Sequence, residues 1–401
     1  MSPRQIPVAK PVLDELEVEA ARRVILSGWV TQGPEVAKFE QEFAAYVGAP
    51  FACAVSNCTT ALHLALIAAG VGQGDEVITV SHSFIATANA IRYCGATPVF
   101  VDIESTGFNI DPDQIAAAIT ARTKAIIVVH QLGMPCDLAR IVPIARQHGI
   151  TLIEDAACAT GSEILWDGNW ERIGAPHADI ACFSFHPRKV VTTGDGGMLT
   201  TANPDYDRRF RLLRQHGMTV PDTVRHGSRQ VIFESYDEVG YNYRMTDLQA
   251  AIGRVQLGRL PDIIAARRKL GALYASLLSR IDGLRPPTEP NWARSNWQSY
   301  CVTLPAGADQ ESVMQVLLDR GISTRRGVMN SHLEPAYAEP GMYRAAGSLA
   351  RSETAQHTSI MLPLFVQMSE DDVQYVASEL GQALALRPAD IPGQARVSAH
   401  A

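Results

Sequence analysis

The sequence lacks several features that would place it in a specialised class of protein. No apolar segment reaches the roughly 18 residues that a membrane-spanning helix needs, so we expect no membrane partner. The seven cysteines include no C-x-x-C pair, and we expect no metal site. Because the cysteine count is odd and the start shows no secretory signal, we expect a reduced, cytoplasmic protein. Internal repeats and low-complexity blocks are also missing.

An excess of positive charge is missing as well. The chain of 401 residues has 35 Lys and Arg against 42 Asp and Glu, a net charge of −7. This balance argues against a general nucleic-acid surface. Residues 208–214 are locally basic, which a solvated helix face or a subunit contact explains better than a phosphate-binding patch. With 46% apolar residues, a chain of this length is expected to form two or three domains around sizeable cores.

Strand-like and helix-like segments alternate through the first half of the chain. The predicted strands are 51–55, 76–80, 98–101, 124–129 and 151–153, and the predicted helices between them are 59–69, 84–93, 112–119 and 138–148. The strands are apolar throughout rather than alternating with polar residues. This pattern predicts an α/β fold with a mostly parallel central sheet that is covered on both faces.

The second half predicts a smaller unit. Thr246 is a good N-cap for a helix from residue 247, and a separate long helix is predicted after Pro261. We expect an N-terminal arm at 1–12 and a large domain at 13–260. A small C-terminal α+β domain at 261–387 and a loose tail at 388–401 complete the predicted organisation.

Lys189 stands out in the first half. It follows a predicted buried strand at 181–185 and precedes a glycine-rich turn at 194–197. A lysine in this place loses its charge more readily than one in water, and lysine forms Schiff bases with carbonyl cofactors. We therefore hypothesise that Lys189 holds pyridoxal 5′-phosphate (PLP). The alternative is a solvated lysine on an ordinary turn.

PLP also needs a carboxylate beside its pyridine nitrogen, donors for its phosphate and flat groups against its ring. Asp155 ends the strand 151–153, and residues 56–60 precede a helix whose N terminus can bind an anion. Either feature could instead be a simple turn or cap. Ser184 adds a hydroxyl near Lys189, and Phe84 follows a strand, although core packing is the usual role of a single Phe. Their shared position at strand ends supports one site, because ligands of parallel sheets bind at the carboxyl edge.

Several motifs resemble the DegT/DnrJ/EryC1/StrS family of PLP-dependent sugar aminotransferases. The resemblance covers about residues 7 to 385, and the segments that carry it are 33–34, 56–62, 74–78, 154–157, 183–189, 194–197, 240–247, 332–337 and 362–365. It implies PLP-dependent transferase fold type I, which is aspartate aminotransferase-like, and a homodimer with active sites at the interface.

The resemblance also implies roles for individual residues. Lys189 would be the Schiff-base lysine and Asp155 the partner of the pyridine nitrogen. Phe84 would stack on the ring, and Asn242 would reach in from the partner subunit. The phosphate would be held by Thr59, Thr60 and Ser184.

Three departures from the family pattern concern the cofactor and the substrate. Cys58 stands where the family usually has Gly, which alters the phosphate loop. Cys158 stands where Gln or His usually contacts the ring hydroxyl, and a thiol is a weaker hydrogen-bond partner. Residues 323–330 lack the common His-Tyr pair before His332.

The expected activity is amino transfer from an amino acid, glutamate in our interpretation, to a keto sugar, most plausibly a nucleotide-linked 4-keto-6-deoxyhexose. Pyridoxamine phosphate would be the intermediate form of the cofactor. Candidate substrate residues are His186, Arg325, Arg326 and His332, for which a structural or surface role is the alternative. A keto-cyclitol aminotransferase of an antibiotic pathway remains open. A sugar dehydratase is disfavoured because that branch replaces the lysine by histidine, and a non-catalytic regulator would not need the Lys189–Asp155 pair.

Overall fold

A sheet of eight strands forms the centre of the molecule. The computed structural model describes residues 4–220, 224–225 and 228–386, so the predicted tail at 388–401 lies outside the described residues. In spatial order the strands are β1 (Phe51–Val55), β9 (Gly197–Thr201), β8 (Ile180–Ser184), β5 (Thr151–Asp155), β4 (Thr123–Val129), β2 (Glu76–Val80), β3 (Thr97–Val101) and β13 (Arg344–Ala345). Only β9 runs against its neighbours in this sheet. The predicted mostly parallel sheet is therefore confirmed.

Helices cover both faces of this sheet. In the first part of the chain they are α1 (Glu15–Ser27), α2 (Pro34–Val47), α3 (Cys58–Ala68), α4 (Ala86–Tyr93), α5 (Pro112–Ala118), α6 (Leu138–His148) and α7 (Pro204–Leu213). The strands are apolar throughout because alternate residues enter two different cores. Ile126 and Val128 of β4 pack in one cluster with Phe43, whereas Ile127 packs in another with Leu62. Both faces of a parallel sheet must be buried in this way.

A third core lies in the C-terminal part of the chain. The elements of this part of the chain are α8 (Asp247–Leu278), β10 (Ala293–Arg294), β11 (Tyr300–Thr303), α9 (Gln310–Asp319), β12 (Arg325–Arg326), α10 (Ala350–Thr358), β14 (Ser359–Leu362) and α11 (Glu370–Ala385). Strands β11, β14 and β12 form an antiparallel sheet. Tyr274, Tyr300 and Leu380 are buried in the core behind it.

The predicted helix break at Pro261 is wrong, because α8 runs through this proline without interruption. A proline inside a helix removes one hydrogen bond and crowds the preceding turn. Leu260 and Ile263 on either side are buried against the large core, and this packing holds the helix together. Helix α8 packs against the large core as far as Ile264 and against the C-terminal core from Leu270 onward. The division of the chain into domains at 260/261 stays a prediction.

A hairpin absent from the sequence prediction follows β5. It consists of β6 (Glu163–Trp166) and β7 (Asn169–Arg172), which pair antiparallel and join β10 in a small sheet. Asp167 and Gly168 at its tip both have positive φ values, of 47° and 84°. An Asp-Gly pair favours this kind of two-residue turn, so the signal was present in the sequence. Among the helices of the described ranges, none combines the length and apolar character needed to cross a membrane.

Candidate active site

Lys189 and Asp155 lie at the same edge of the central sheet. Strands β5 and β8 are parallel neighbours, with Asp155 opposite Cys182. Asp155 is the last residue of β5, and Ser184 is the last residue of β8. Lys189 follows in the turn after β8, where its amide donates to the carbonyl of His186 at 2.8 Å. The sheet topology therefore brings together the two side chains that the sequence singled out.

The amine of Lys189 contacts Cys158. Its Nζ lies 3.1 Å from Cys158 Sγ, and the lysine is half-buried. Burial alone would lower the pKa of Lys189, but the hydrogen bond that Cys158 accepts from the amine and the charge of Asp155 outweigh it and raise that pKa above its ordinary value. The lysine is thus an ammonium at neutral pH in this arrangement.

Asp155 is buried and held by two donors. Thr87 Oγ1 donates to Asp155 Oδ2 at 2.8 Å, and the Ala157 amide donates to Oδ1 at 3.2 Å. Burial raises the pKa of Asp155, and these two hydrogen bonds and the charge of Lys189 oppose the rise without cancelling it. A carboxylate has about four acceptor sites, so this one retains room for a further donor.

The loop before α3 has the form of an anion site. Asn57 caps the helix by accepting from the Thr60 amide at 2.9 Å, and Thr60 Oγ1 donates to the Asn57 carbonyl at 2.7 Å. The amides of Cys58 and Thr59, like the first amides of any helix, have no acceptor within the helix. They add to the positive end of the helix dipole.

Cys58 begins α3 and faces the same cluster. Its Sγ lies 3.7 Å from the carbonyl oxygen of Cys182. Burial raises the pKa of the Cys58 thiol well above its ordinary value, and the carboxylate of Asp155 raises it further, whereas Lys189 opposes this. Because Cys182 pairs with Asp155 across β5 and β8, the contact between Cys58 and the Cys182 carbonyl places the N terminus of α3 beside Asp155. The neutral thiol at position 58 brings no charge that would repel a phosphate.

Phe84 and Asn242 are both exposed. Phe84 is 66% exposed, so the core-packing alternative for this side chain is wrong and its ring is free to contact a ligand. It precedes α4, on the turn that follows β2. Asn242 lies between Tyr241 and Tyr243 and pairs with Gln215 through a backbone bridge. Ser184 is buried, and its Oγ accepts from the His186 amide at 3.5 Å.

The remaining candidates make their bonds outside this cluster. Arg325 and Arg326 are exposed on β12, and Arg326 lies 3.3 Å from Glu334. His332 Nδ1 lies 2.6 Å from Ser81 Oγ, and its Nε2 lies 3.3 Å from Glu353. A substrate role for these three residues stays a prediction.

His186 lies nearer, in the turn that carries Lys189. Its Nδ1 accepts from the Arg188 amide at 3.2 Å. This bond is of the kind expected if His186 has a structural role. Burial and then the charge of Arg188 lower its pKa, so the ring is neutral at physiological pH. A substrate role for His186 also stays a prediction.

Sequence reasoning missed the side chains that support the two central residues. Thr87, in the first turn of α4, bonds to Asp155 and also lies 2.8 Å from Ser83 Oγ. Asn296 donates to the carbonyl of Cys158 at 2.8 Å, and Gln298 donates to the carbonyl of Arg188. These contacts join residues far apart in the chain, and no local motif marks them.

A second buried pair lies beside Asp155. His130 Nδ1 accepts from the Cys136 amide at 2.9 Å, so the ring proton of neutral His130 is on Nε2. That nitrogen donates to Glu154 Oε2 at 2.8 Å. Both side chains are fully buried, and the pair fixes the strand end that carries Asp155.

A large cavity lies away from this cluster. Its volume is about 830 Å³, and Phe108, Trp297 and Arg285 are among the residues that line it. It opens between the loops after β3 and β4 and the C-terminal core. Neither Lys189 nor Asp155 is among its lining residues.

The residues at the sheet edge fit PLP. A lysine amine, a buried carboxylate with spare acceptor sites, and a helix N terminus are the groups that this cofactor requires. The close approach of Gly197 to the Asn57–Cys58 peptide supports the anion site, because a side chain at Gly197 would begin 2.5 Å from the Asn57 carbonyl. Cys158 fits the cofactor least well of these residues, because a thiol forms only weak hydrogen bonds. Its Sγ contacts the amine of Lys189.

Comparison with known proteins shows the family of the chain. The family model for the DegT/DnrJ/EryC1/StrS aminotransferase family matches residues 11–381. The chain is 39% identical over 386 residues to GDP-perosamine synthase of Caulobacter vibrioides, covering 95% of this chain and 98% of that protein. The aminotransferase TlmJ from Streptoalloteichus hindustanus superposes with a TM-score of 0.86 at 36% identity, covering 95% and 99% of the two chains.

A PLP form is known among the similar structures. The aminotransferase Spr1654 from Streptococcus pneumoniae in its PLP form has a TM-score of 0.87 at 28% identity, covering 95% of this chain and 99% of that one. The fold is therefore the one expected for PLP-dependent transferases of type I. The chain belongs to the DegT/DnrJ/EryC1/StrS aminotransferase family and is a PLP-dependent aminotransferase.

Proposed function

We propose that this aminotransferase moves the amino group of an amino acid, glutamate in the first instance, to a nucleotide-linked keto sugar. The observation that carries the proposal is the convergence of Lys189, Asp155 and the N terminus of α3 at one sheet edge. The sugar acceptor is supported by a relative, GDP-perosamine synthase, whose name denotes a nucleotide-linked amino sugar. A keto-cyclitol acceptor is the second candidate, and nothing in the geometry of the described residues favours it.

Each residue of the site has a proposed task. When bound, PLP supplies a carbonyl that takes up an amine and a ring that accepts electrons. Lys189 holds the cofactor through Nζ and, once released by the donor, moves a proton at the donor α-carbon as base and then acid. Asp155 holds a proton on the pyridine nitrogen. Between the two half-reactions the amino group is kept as pyridoxamine phosphate.

The phosphate and the ring are held by other residues. Thr59, Thr60 and Ser184, with the free amides at Cys58 and Thr59, bind the phosphate. Phe84 would hold the ring by stacking, and Cys158 would contact its hydroxyl. Asn242 reaches the site of a partner subunit in a homodimer.

The assignment of Lys189 is tested by borohydride reduction. We expect reduction of the loaded protein to fix the cofactor on the peptide that contains Lys189, as read by mass spectrometry. Lys189→Ala should lose this label and transaminase turnover. Lys38→Ala removes an exposed lysine and is the matched control, which should keep both. Label on another lysine, or turnover by Lys189→Ala, would refute the assignment.

The substrate is tested separately, with glutamate as donor and a panel of nucleotide-linked keto sugars and keto-cyclitols as acceptors. The proposal predicts that an amino sugar nucleotide forms with matching release of 2-oxoglutarate. Turnover with a keto-cyclitol alone would replace this proposal by the second candidate.

A further inference from the structure

A chain of buried hydroxyl groups connects Asp155 to the turn that carries Phe84. Ser83 and Thr87 flank Phe84 on this turn and in the first turn of α4, and their Oγ atoms lie 2.8 Å apart. Thr87 Oγ1 also lies 2.8 Å from Asp155 Oδ2. The three side chains belong to residues that are 2%, 2% and 5% exposed. The path from the carboxylate to the aromatic turn is therefore enclosed by protein.

The direction of these hydrogen bonds follows from their chemistry. An ionised carboxylate can only accept, so the single proton of the Thr87 hydroxyl is donated to Asp155. Thr87 Oγ1 must then accept from Ser83, whose hydroxyl donates. Hydrogen bonds in such a chain polarise one another, and a bond to an ionised acceptor is stronger than one between neutral groups. The hydrogen bonds from Ser83 to Thr87 and from Thr87 to Asp155 thus favour the ionised form of Asp155.

Several charged and titratable groups influence the pKa of Asp155. Burial raises its pKa, and the Thr87 hydroxyl is the largest opposing influence, ahead of the Ala157 amide and the charge of Lys189. Cys58 and Cys182 also face the carboxylate, and burial keeps both thiols neutral by raising their pKa values well above the ordinary range. Glu154 is bonded to His130 instead. Thr87 is the only side-chain hydroxyl among these groups that bonds directly to Asp155.

We propose that Thr87 is a positioning residue, which, oriented by Ser83, holds the Asp155 carboxylate ionised and in one orientation for the pyridine nitrogen of the cofactor. The inference rests on the proposed function, because it assigns Asp155 to that nitrogen. It adds that the turn carrying the ring-stacking Phe84 also sets the state of the carboxylate. One short segment, 83–87, would therefore supply the residue that stacks on the ring and the residues that orient the carboxylate at its nitrogen.

The test uses four variants, each of which makes a defined change to the hydrogen bonds between Ser83, Thr87 and Asp155. Thr87→Val keeps the shape but removes the donor, Thr87→Ser keeps the hydroxyl, and Ser83→Ala removes only the second donor. Asp155→Asn identifies the Asp155 signal by its loss. In the first arm, apoprotein isotope-labelled at the aspartate carboxyl carbon is titrated by NMR. Asp155 should take up its proton at a higher pH in Thr87→Val, in the same direction but less in Ser83→Ala, and as in the wild type in Thr87→Ser.

The second arm uses the loaded enzyme. The nitrogen resonance of isotope-labelled PLP should move toward the unprotonated form in Thr87→Val and Asp155→Asn, and return in Thr87→Ser. We expect kcat of Thr87→Val to fall roughly ten- to a hundredfold, as for the loss of one hydrogen bond to a charged group, with a much smaller change in KM.

The outcomes separate this inference from the proposed function. An unchanged Asp155 titration in Thr87→Val overturns the inference alone, as does Thr87→Ser behaving like Thr87→Val. If Thr87→Val does not fold, Ser83→Ala decides, and an unchanged titration there overturns the inference. If the cofactor nitrogen does not respond to Asp155→Asn, the assignment of Asp155 fails and this inference falls with it.

Discussion

Asp155 occupies a place that is unfavourable for its charge. The residue is 5% exposed, and burial raises its pKa despite the hydrogen bonds from Thr87 and Ala157. A carboxyl group with a raised folded-state pKa binds its proton more tightly in the folded than in the unfolded chain. Folding therefore loses stability as the pH rises from the unfolded pKa, near 3.8, through the folded one. At a pH above the folded pKa the apoprotein has lost this stability in full.

We predict that Asp155→Asn separates stability from activity. The amide can still accept from Thr87 but carries no charge, so urea unfolding of the apoprotein at pH 7 should show equal or greater stability than the wild type. Transamination should fall by roughly a hundredfold or more, because the proposed partner of the pyridine nitrogen is lost. A variant that is clearly less stable and fully active would show that Asp155 is only a turn residue.

Cys158 contributes most among the groups that raise the pKa of Lys189 in the same cluster. Its Sγ lies 3.1 Å from the amine, and the thiol raises the pKa of Lys189 against the effect of burial. Only the neutral amine attacks a carbonyl. Cys158→Ala should therefore lower the pKa of Lys189 and extend PLP uptake by the apoenzyme to lower pH.

The measurement for Cys158→Ala is the rate of PLP uptake by absorbance between pH 6 and 9. Cys94→Ala, at another partly exposed cysteine outside the cluster, is the control and should follow the wild type. A pH profile of Cys158→Ala that matches the wild type would contradict the role given to this thiol.

At the scale of secondary structure, the elements that hold the site were predictable. Strands β5 and β8 and helix α3 are marked by local patterns, which are apolar runs and a capping sequence before a helix. Topology then brings Asp155 and Lys189 to one edge, because the carboxyl ends of parallel strands coincide. The supporting contacts were not predictable in this way. Thr87 and Asn296 act through bonds to residues 68 and 138 positions away, and such bonds leave no periodic signal.

The wrong prediction of a helix break at Pro261 has a related cause. Local chemistry predicts a helix break at a proline, and the buried face of α8 on both sides overrides it.

Gly197 links strand β9 to the N terminus of α3. A side chain there would begin 2.5 Å from the Asn57 carbonyl carbon and oxygen and 2.9 Å from the Cys58 amide nitrogen, which are backbone atoms that cannot rotate away. We predict that Gly197→Ala pushes the loop before α3 out of place. Stability should fall by about 1–3 kcal/mol, as for other overpacked sites, and the Kd for PLP should rise.

The matched control for Gly197→Ala is Gly258→Ala. Gly258 lies within α8 and has no neighbouring atom within 4 Å of a new Cβ, so alanine should raise stability by up to about 1 kcal/mol. Thermal unfolding and PLP titration of both variants decide the prediction. Normal PLP affinity in Gly197→Ala would show that the loop does not hold the phosphate.

At the scale of the whole molecule, the segment 228–240 exposes an apolar surface. Val231, Phe233 and Val239 are 83%, 90% and 88% exposed. Burial of side chains of this size is worth about 1.5–3 kcal/mol each, so a monomer that leaves them in water forgoes this stabilisation. Asn242, the proposed contact with the partner site, follows directly after this segment.

We predict that Phe233→Asp weakens the proposed homodimer. A buried charge in the interface would favour separate subunits, and activity should fall because each site would lose Asn242 of its partner. Sedimentation velocity should show a shift toward monomer. Leu318→Asp, at an apolar side chain of α9 that is 55% exposed, is the control and should sediment as the wild type does.

A shared active site makes a stronger prediction, because two defective subunits should complement each other. Lys189→Ala removes the amine of a subunit's own site, and Asn242→Ala removes the group that this subunit lends to its partner. In a mixed dimer one site has lost both groups, whereas the other retains Lys189 of one subunit and Asn242 of the other. After subunit exchange of equal amounts, half of the dimers are mixed, and activity should recover to about a quarter of the wild type. Mixed dimers that form but stay inactive would show that each subunit builds its site alone.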